Sequence, residues 1–98
     1  MARIRWTPQS ADDLDAIAEY IASDSPHYAR LFVLKVISAI DRLERFPEIG
    51  RVVPEMNNPA VRELILGNYR IVYRLNTDVV EILTIYHGSR LLDSSMLN

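Results

Sequence analysis

The stretch from 61 to 87, VRELILGNYRIVYRLNTDVVEILTIYH, decides the fold. Apolar and polar side chains alternate along much of it with a period of two, and β-branched and aromatic residues dominate. Two short breaks divide it. Gly67-Asn68 is a fitting two-residue hairpin turn, since both residues tolerate positive φ, and Asn76-Thr77-Asp78 makes a second turn. The stretch therefore predicts three strands, Val61–Leu66, Tyr69–Leu75 and Val79–His87, joined as an antiparallel meander.

The first turn fixes the register of its hairpin, with Leu66 opposite Tyr69 and Leu64 opposite Ile71. One face then carries Arg62, Leu64, Leu66, Tyr69, Ile71, Tyr73 and Leu75 and reads as the core face. The other carries Val61, Glu63, Ile65, Arg70, Val72 and Arg74. In the third strand Val79, Leu83 and Ile85 alternate with Val80, Ile82 and Tyr86, so both of its faces are largely apolar. A turn formed by Thr77-Asp78 sets Glu81 opposite Arg74 on the outer face. A three-residue loop would turn Glu81 inward, and the first register is preferred because it pairs opposite charges and leaves no buried carboxylate.

Upstream the period is helical. Ile4 to Trp6 reads as a short strand added at an edge of the sheet. Thr7 and Pro8 then open a helix as cap and first residue, with Asp12 and Asp13 near its positive end. Ala11, Leu14, Ile17, Ala18 and Ile21 form its apolar stripe. Ser25-Pro26 repeats the signal and opens a second helix of roughly twenty residues. Its stripe runs through Ala29, Val33, Val36, Ile37, Ile40 and Leu43, and Phe46-Pro47 closes it. So short a connection predicts an antiparallel helix hairpin. Pro47, Gly50 and Pro54 mark a connecting loop, with room for a short edge strand around Arg51-Val52-Val53. The fold class is α+β, one domain over 1–98: an N-terminal strand, a two-helix antiparallel hairpin, then the three-stranded antiparallel meander.

One helix hairpin covers one face of a sheet. Apolar residues on the other face, Val61, Ile65, Val72, Leu83 and Ile85, are expected to meet a partner, or the tail with Leu91, Leu92, Met96 and Leu97, because soluble monomers rarely leave such patches open.

Composition narrows the function. The 98 residues carry 11 basic and 13 acidic side chains, a net charge of −2, and no cysteine. A non-specific nucleic-acid binder is usually basic overall, so no direct sequence-specific DNA binding is expected of this chain, and any anionic target must be met by a local arginine cluster. The absence of cysteine excludes disulfides and thiolate metal sites and suits a reducing cytoplasm. There is no apolar run of membrane-spanning length and no signal-peptide core near the N-terminus, so a cytoplasmic location is expected. Neither His27 nor His87 has a metal-binding companion, and no phosphate-binding glycine loop or nucleophile elbow exists, so no metal or cofactor is expected. Every basic residue after position 50 is an arginine: Arg51, Arg62, Arg70, Arg74 and Arg90. Guanidinium groups grip phosphates and carboxylates bidentately, which makes these five the target-binding candidates. Glu63 and Glu81 are placed to neutralise Arg70 and Arg74. His87 has the pKa range of a general acid or base.

The ordered set Trp6-Thr7-Pro8, Ala11, Asp13-Leu14, Tyr20-Ile21, Leu43, Pro47, Gly50-Arg51, Arg62-Glu63-Leu64, Tyr69 to Arg74 and His87-Gly88-Ser89-Arg90 resembles the RelE/ParE toxin superfamily over nearly the whole chain. The resemblance implies the same fold and a cognate antitoxin that wraps the toxin through a segment ordered on binding, with Val61, Ile65, Val72, Leu83 and Ile85 as its contact candidates. RelE-like members cleave mRNA in the ribosomal A site. ParE-like members poison DNA gyrase and are not known as nucleases. A RelE-like reading would place catalysis on Arg70, His87 and Arg90. The chain departs from that pattern: Leu64-Ile65-Leu66-Gly67-Asn68 lacks the expected arginine or lysines, and the tail after Arg90 lacks tyrosine and histidine. Gly50-Arg51 and His87 to Arg90 are closer to ParE. The expectation is a growth-inhibiting, plasmid-stabilising toxin that binds gyrase without catalysis; the alternatives are a ribosome-dependent mRNA endonuclease and a degenerate toxin serving only as a binding module.

Overall fold

A computed structural model describes residues 1–89. The order is β1 (Arg3–Trp6), α1 (Pro8–Ala22), α2 (Pro26–Asp41) with a 3-10 turn at Arg42–Glu44, β2 (Arg51–Val52), β3 (Val61–Leu66), β4 (Tyr69–Asn76) and β5 (Val79–His87). The α+β class, the edge strand, the helix hairpin and the meander all stand as the sequence predicts.

Both helices begin where the capping signals place them. Thr7 is extended and its hydroxyl accepts the Ser10 N–H at 3.2 Å; Ser25 does the same for Tyr28 at 3.2 Å. Proline follows each cap, where its missing N–H is harmless. The stripes are narrower than the periodicity predicts, because Ala11 and Ile37 are exposed while Ser10 is buried. Asp12 and Asp13 fall beyond the first turn, so they are not the N-terminal charges expected. The second helix tightens into the 3-10 turn after Asp41, which ends the combined run at Glu44.

The sheet order is β1-β5-β4-β3-β2, and β1 runs parallel to β5. Leu66 pairs with Tyr69, Arg74 with Glu81 and Asn76 with Val79, so both hairpins keep the predicted register. In each turn only the first residue takes positive φ, Gly67 at 59° and Thr77 at 39°. Glycine adopts that geometry freely, whereas the β-branched threonine is strained there.

One irregularity changes the faces. Val72 pairs with Thr84 and Tyr73 with Ile82, so β5 carries a bulge at Leu83. The extra residue resets the alternation. Val80 and Ile82 point to the core, but so does Ile85, which strict alternation had placed outside. Together with Ile71, Tyr73, Leu14, Val36, Ile40 and Leu43, these residues form the core between sheet and helices.

The outer face is also covered. Val53, fully buried, packs with Val61, Val72, Leu83 and Tyr86, and Met56 lies against them. The loop between β2 and β3 is thus a strap across the outer face. The expectation that Val61, Val72 and Leu83 form an open patch is therefore corrected: two side chains from this chain's own loop cover them. Only Ile65, 55% exposed, remains open.

The loop that leads into β2 makes a close contact of its own. A Cβ built on Gly50 would lie 2.5 Å from the Tyr73 hydroxyl and 2.7 Å from the Glu63 carbonyl. Tyr73 in turn accepts the Gly50 N–H at 2.9 Å and donates to the Pro47 carbonyl at 2.8 Å. Gly50→Ala should cost about 1–3 kcal/mol in urea unfolding through this clash. Thr77→Gly should instead raise stability by about 0.5–1 kcal/mol, as the strain at positive φ is released.

Candidate functional site

The predicted site residues lie mostly on the outer face, where two buried carboxylates organise them. Glu63 projects from β3 and is 1% exposed. Arg70 on β4 places both Nε and Nη2 2.6 Å from its Oε1, while Arg51 on β2 places Nε 2.6 Å from Oε2. A buried carboxylate is tolerable only with such compensation. Arg70 then reaches onward to the strap, with Nη1 and Nη2 each 3.2 Å from the Glu55 carboxylate. Its guanidinium carbon also lies 5.4 Å from the Tyr86 ring centre. Burial works against the Arg70 charge, but the hydrogen bonds to Glu55 and Glu63 outweigh it and raise the pKa above the ordinary arginine value. Every nitrogen of Arg70 is engaged, and the residue is 9% exposed.

Glu81 is the second hub. Arg5 from β1 pairs with it, Arg74 approaches Oε1 at 3.3 Å through Nε and Nη2, and the Asn76 amide donates to the same oxygen. The Arg5 hydrogen bond, reinforced by Arg74 against the opposing effect of burial, holds the carboxyl below the usual carboxylate range. This cluster ties the N-terminal strand to the meander.

The remaining candidates separate. Arg62 is half-buried, and its Nη1 donates to the carbonyls of Gly50 at 2.9 Å and Glu48 at 3.2 Å, so it clamps the loop that precedes β2. His87 is exposed at the end of β5; its Nδ1 lies 2.8 Å from the Ser89 hydroxyl, and its ring meets Tyr69 edge-on at 5.4 Å. Ile85 is in the core, 2% exposed. Arg90 and the tail leucines Leu91, Leu92 and Leu97, with Met96, lie outside the described residues. No cluster of three or more His, Cys, Asp or Glu able to hold a metal occurs among the described residues. No helix among them is long and apolar enough to cross a membrane.

Three participants escaped the sequence reading. Glu55 lies in an irregular loop, and no periodicity announces it. Arg5 becomes a partner only through the parallel β1–β5 pairing. Asp13 accepts the Ile85 N–H at 3.1 Å and the Thr84 hydroxyl at 2.5 Å, closing part of the β5 edge beyond the end of β1.

Comparison with known proteins settles the family. The profile of the ParE toxin of the type II toxin–antitoxin system parDE matches residues 4–92. The chain belongs to this ParE toxin family. The toxin is 40% identical over 88 residues to toxin Y4kP of Sinorhizobium fredii, covering 88% of each chain. It is 36% identical over 92 residues to toxin RelE2 of Caulobacter vibrioides, covering 93% of this chain and all of that one. Its fold superimposes on a chain of the chromosomal ParDE system from P. aeruginosa with a TM-score of 0.73 at 28% identity, covering 89% of this chain and 96% of that one. It also matches a chain of the RelBE2 toxin–antitoxin complex from Mycobacterium tuberculosis, at a TM-score of 0.64 and 21% identity, with coverage of 88% and 96%. The predicted RelE/ParE resemblance is thereby confirmed, and the chain is a type II toxin of that superfamily.

The depressed Glu81 pKa fixes a sign. Stability from this group is fully present above the unfolded glutamate pKa and is lost as pH falls through the lower folded value. Urea midpoints measured from pH 6 down to pH 3 should decline, and Glu81→Gln should flatten that decline while lowering stability at neutral pH.

Proposed function

We propose that the toxin acts by binding DNA gyrase without catalysing a reaction, and that direct contact with a cognate antitoxin neutralises it. The observation that carries this reading is the engagement of Arg70. Phosphoryl transfer on RNA needs positioned groups for the 2′-hydroxyl, the leaving oxygen and the phosphate charge. Arg70 was the strand arginine available for that last task, and both Glu63 and Glu55 occupy it inside the protein. Arg51, Arg62 and Arg74 likewise spend hydrogen bonds on the fold. The match to the ParE profile over 4–92 supports the gyrase branch. The toxin–antitoxin systems among its structural relatives support the antitoxin.

Purified toxin should inhibit DNA supercoiling by gyrase and accumulate cleaved DNA complexes. Unimpaired supercoiling at toxin in excess over gyrase would overturn the reading.

The second reading, a ribosome-dependent mRNA endonuclease, draws on the exposed His87 and on the relative named toxin RelE2. It requires codon-register cuts in primer extension on a translated message, abolished by His87→Ala. Our reading expects no such cuts.

A further inference from the structure

β5 is nine residues long, but β1 pairs only with its first four, Val79 to Ile82. Beyond the bulge, Tyr86 pairs with Arg70, and the Gly88 N–H bonds to the Asn68 carbonyl at 2.7 Å. Backbone groups alternate in direction along a strand, so those of Ile85 and His87 point away from β4 to an edge that no described strand covers. The Ile85 N–H is satisfied there by Asp13. The Ile85 carbonyl and the His87 N–H and carbonyl carry no hydrogen bond among the described residues. An open strand edge of this kind is a template for another strand.

The same edge forms one side of a cleft of about 280 Å³ between α1 and the sheet, walled by Ala16, Ile17, Tyr20, Tyr69 and His87. Tyr20 is 75% exposed. The electrostatics of this wall are one-sided. α1 carries Asp12, Asp13, Asp15 and Glu19 and no lysine or arginine. Among the described residues Asp13 is bonded to neutral donors, Thr84 and Ile85, and no cation pairs with it where it borders the cleft. Asp12 and Asp15 are exposed and make no ion pair among the described residues. A polyanionic strand is repelled by such a wall, whereas a peptide brings both backbone groups for the edge and cations for the acids.

We propose that this slot receives an extended segment of the antitoxin, which continues the line of β1 along β5, sets an apolar side chain between Ile17 and Tyr20, and directs a lysine or arginine toward Asp12 and Asp13. The proposal rests on the antitoxin reading above. It moves the contact from the strapped outer face to the opposite edge of the sheet.

Titration of the toxin with its purified cognate antitoxin, combined with hydrogen exchange at the His87 amide, tests it. The His87 amide should exchange freely in the toxin alone and at least about tenfold more slowly in the complex. Ala16→Trp, which fills the slot from an exposed helix position, should weaken binding by about tenfold or more. Asp12→Lys should weaken it by about fivefold at low salt and by less at high salt. Tight binding with the His87 amide unprotected and both variants unaffected overturns the slot while leaving the antitoxin reading intact. Absence of binding by the unmodified toxin overturns both. Protection of His87 in the free toxin that disappears when residues 91–98 are removed assigns the edge to the chain's own terminus, and also overturns the proposal.

Discussion

A fully buried carboxylate is among the most demanding groups a small domain can contain, and Glu63 imposes its demand on the whole outer half of this protein. It must be met by cations, because an isolated charge in the interior costs several kcal/mol even after relaxation. Arg51 arrives on β2 and Arg70 on β4, so one side chain on β3 joins all three strands. Arg70 extends the chain of charges to Glu55 and thereby pins the strap. The strap brings Val53 and Met56 over Val61, Val72 and Leu83. A sheet with helices on one side thus gains a second, smaller core on the other without a further layer of secondary structure.

This arrangement decides what the arginines can do. Counted from the sequence, five of them stand ready for an anionic target. In the structure, four serve carboxylates or loop carbonyls, and the fifth, Arg90, lies outside the described residues. The Arg70 guanidinium, buried and held at 2.6 Å by a buried partner, does not become free for a phosphate without opening the fold, whereas Arg51 and Arg74 keep much of their side chains exposed. A different kind of surface lies at the other edge of the sheet, an aromatic and acidic margin around Tyr20, Asp13 and His87 whose chemistry suits a peptide better than a nucleic acid.

Much of the fold was legible because it rests on local signals. Thr7-Pro8 and Ser25-Pro26 announce the helix starts through side-chain caps, and Gly67-Asn68 fixes a register that runs unchanged to Val61–Arg74. The Arg74–Glu81 pairing followed from preferring opposite charges, although Glu81 is buried all the same, 7% exposed, because Arg5, Arg74 and Asn76 close over it. What could not be read is non-local. A bulge leaves no mark in a strand that is apolar on both faces, so Ile85 was assigned to the wrong side. The strap was invisible because Val53 and Met56 sit among prolines and asparagines with no period, and only their lack of any other core to join hints at their place. Asp13 looked like a helix-start charge. Its role depends on β1 stopping four residues along β5, which no spacing in the sequence encodes.

The coupling between Glu63 and Arg70 is the quantity that tests these arguments most directly. It is obtained from urea unfolding of Glu63→Gln, Arg70→Met and the double variant, with growth inhibition by each folded protein measured alongside. The single substitutions should each be strongly destabilising, and the double variant should be less destabilised than their sum by about 1–3 kcal/mol. The double variant should still inhibit growth once folded. Additive losses, or an Arg70→Met protein that keeps its stability but no longer inhibits growth, would show that Arg70 serves the target and not the fold.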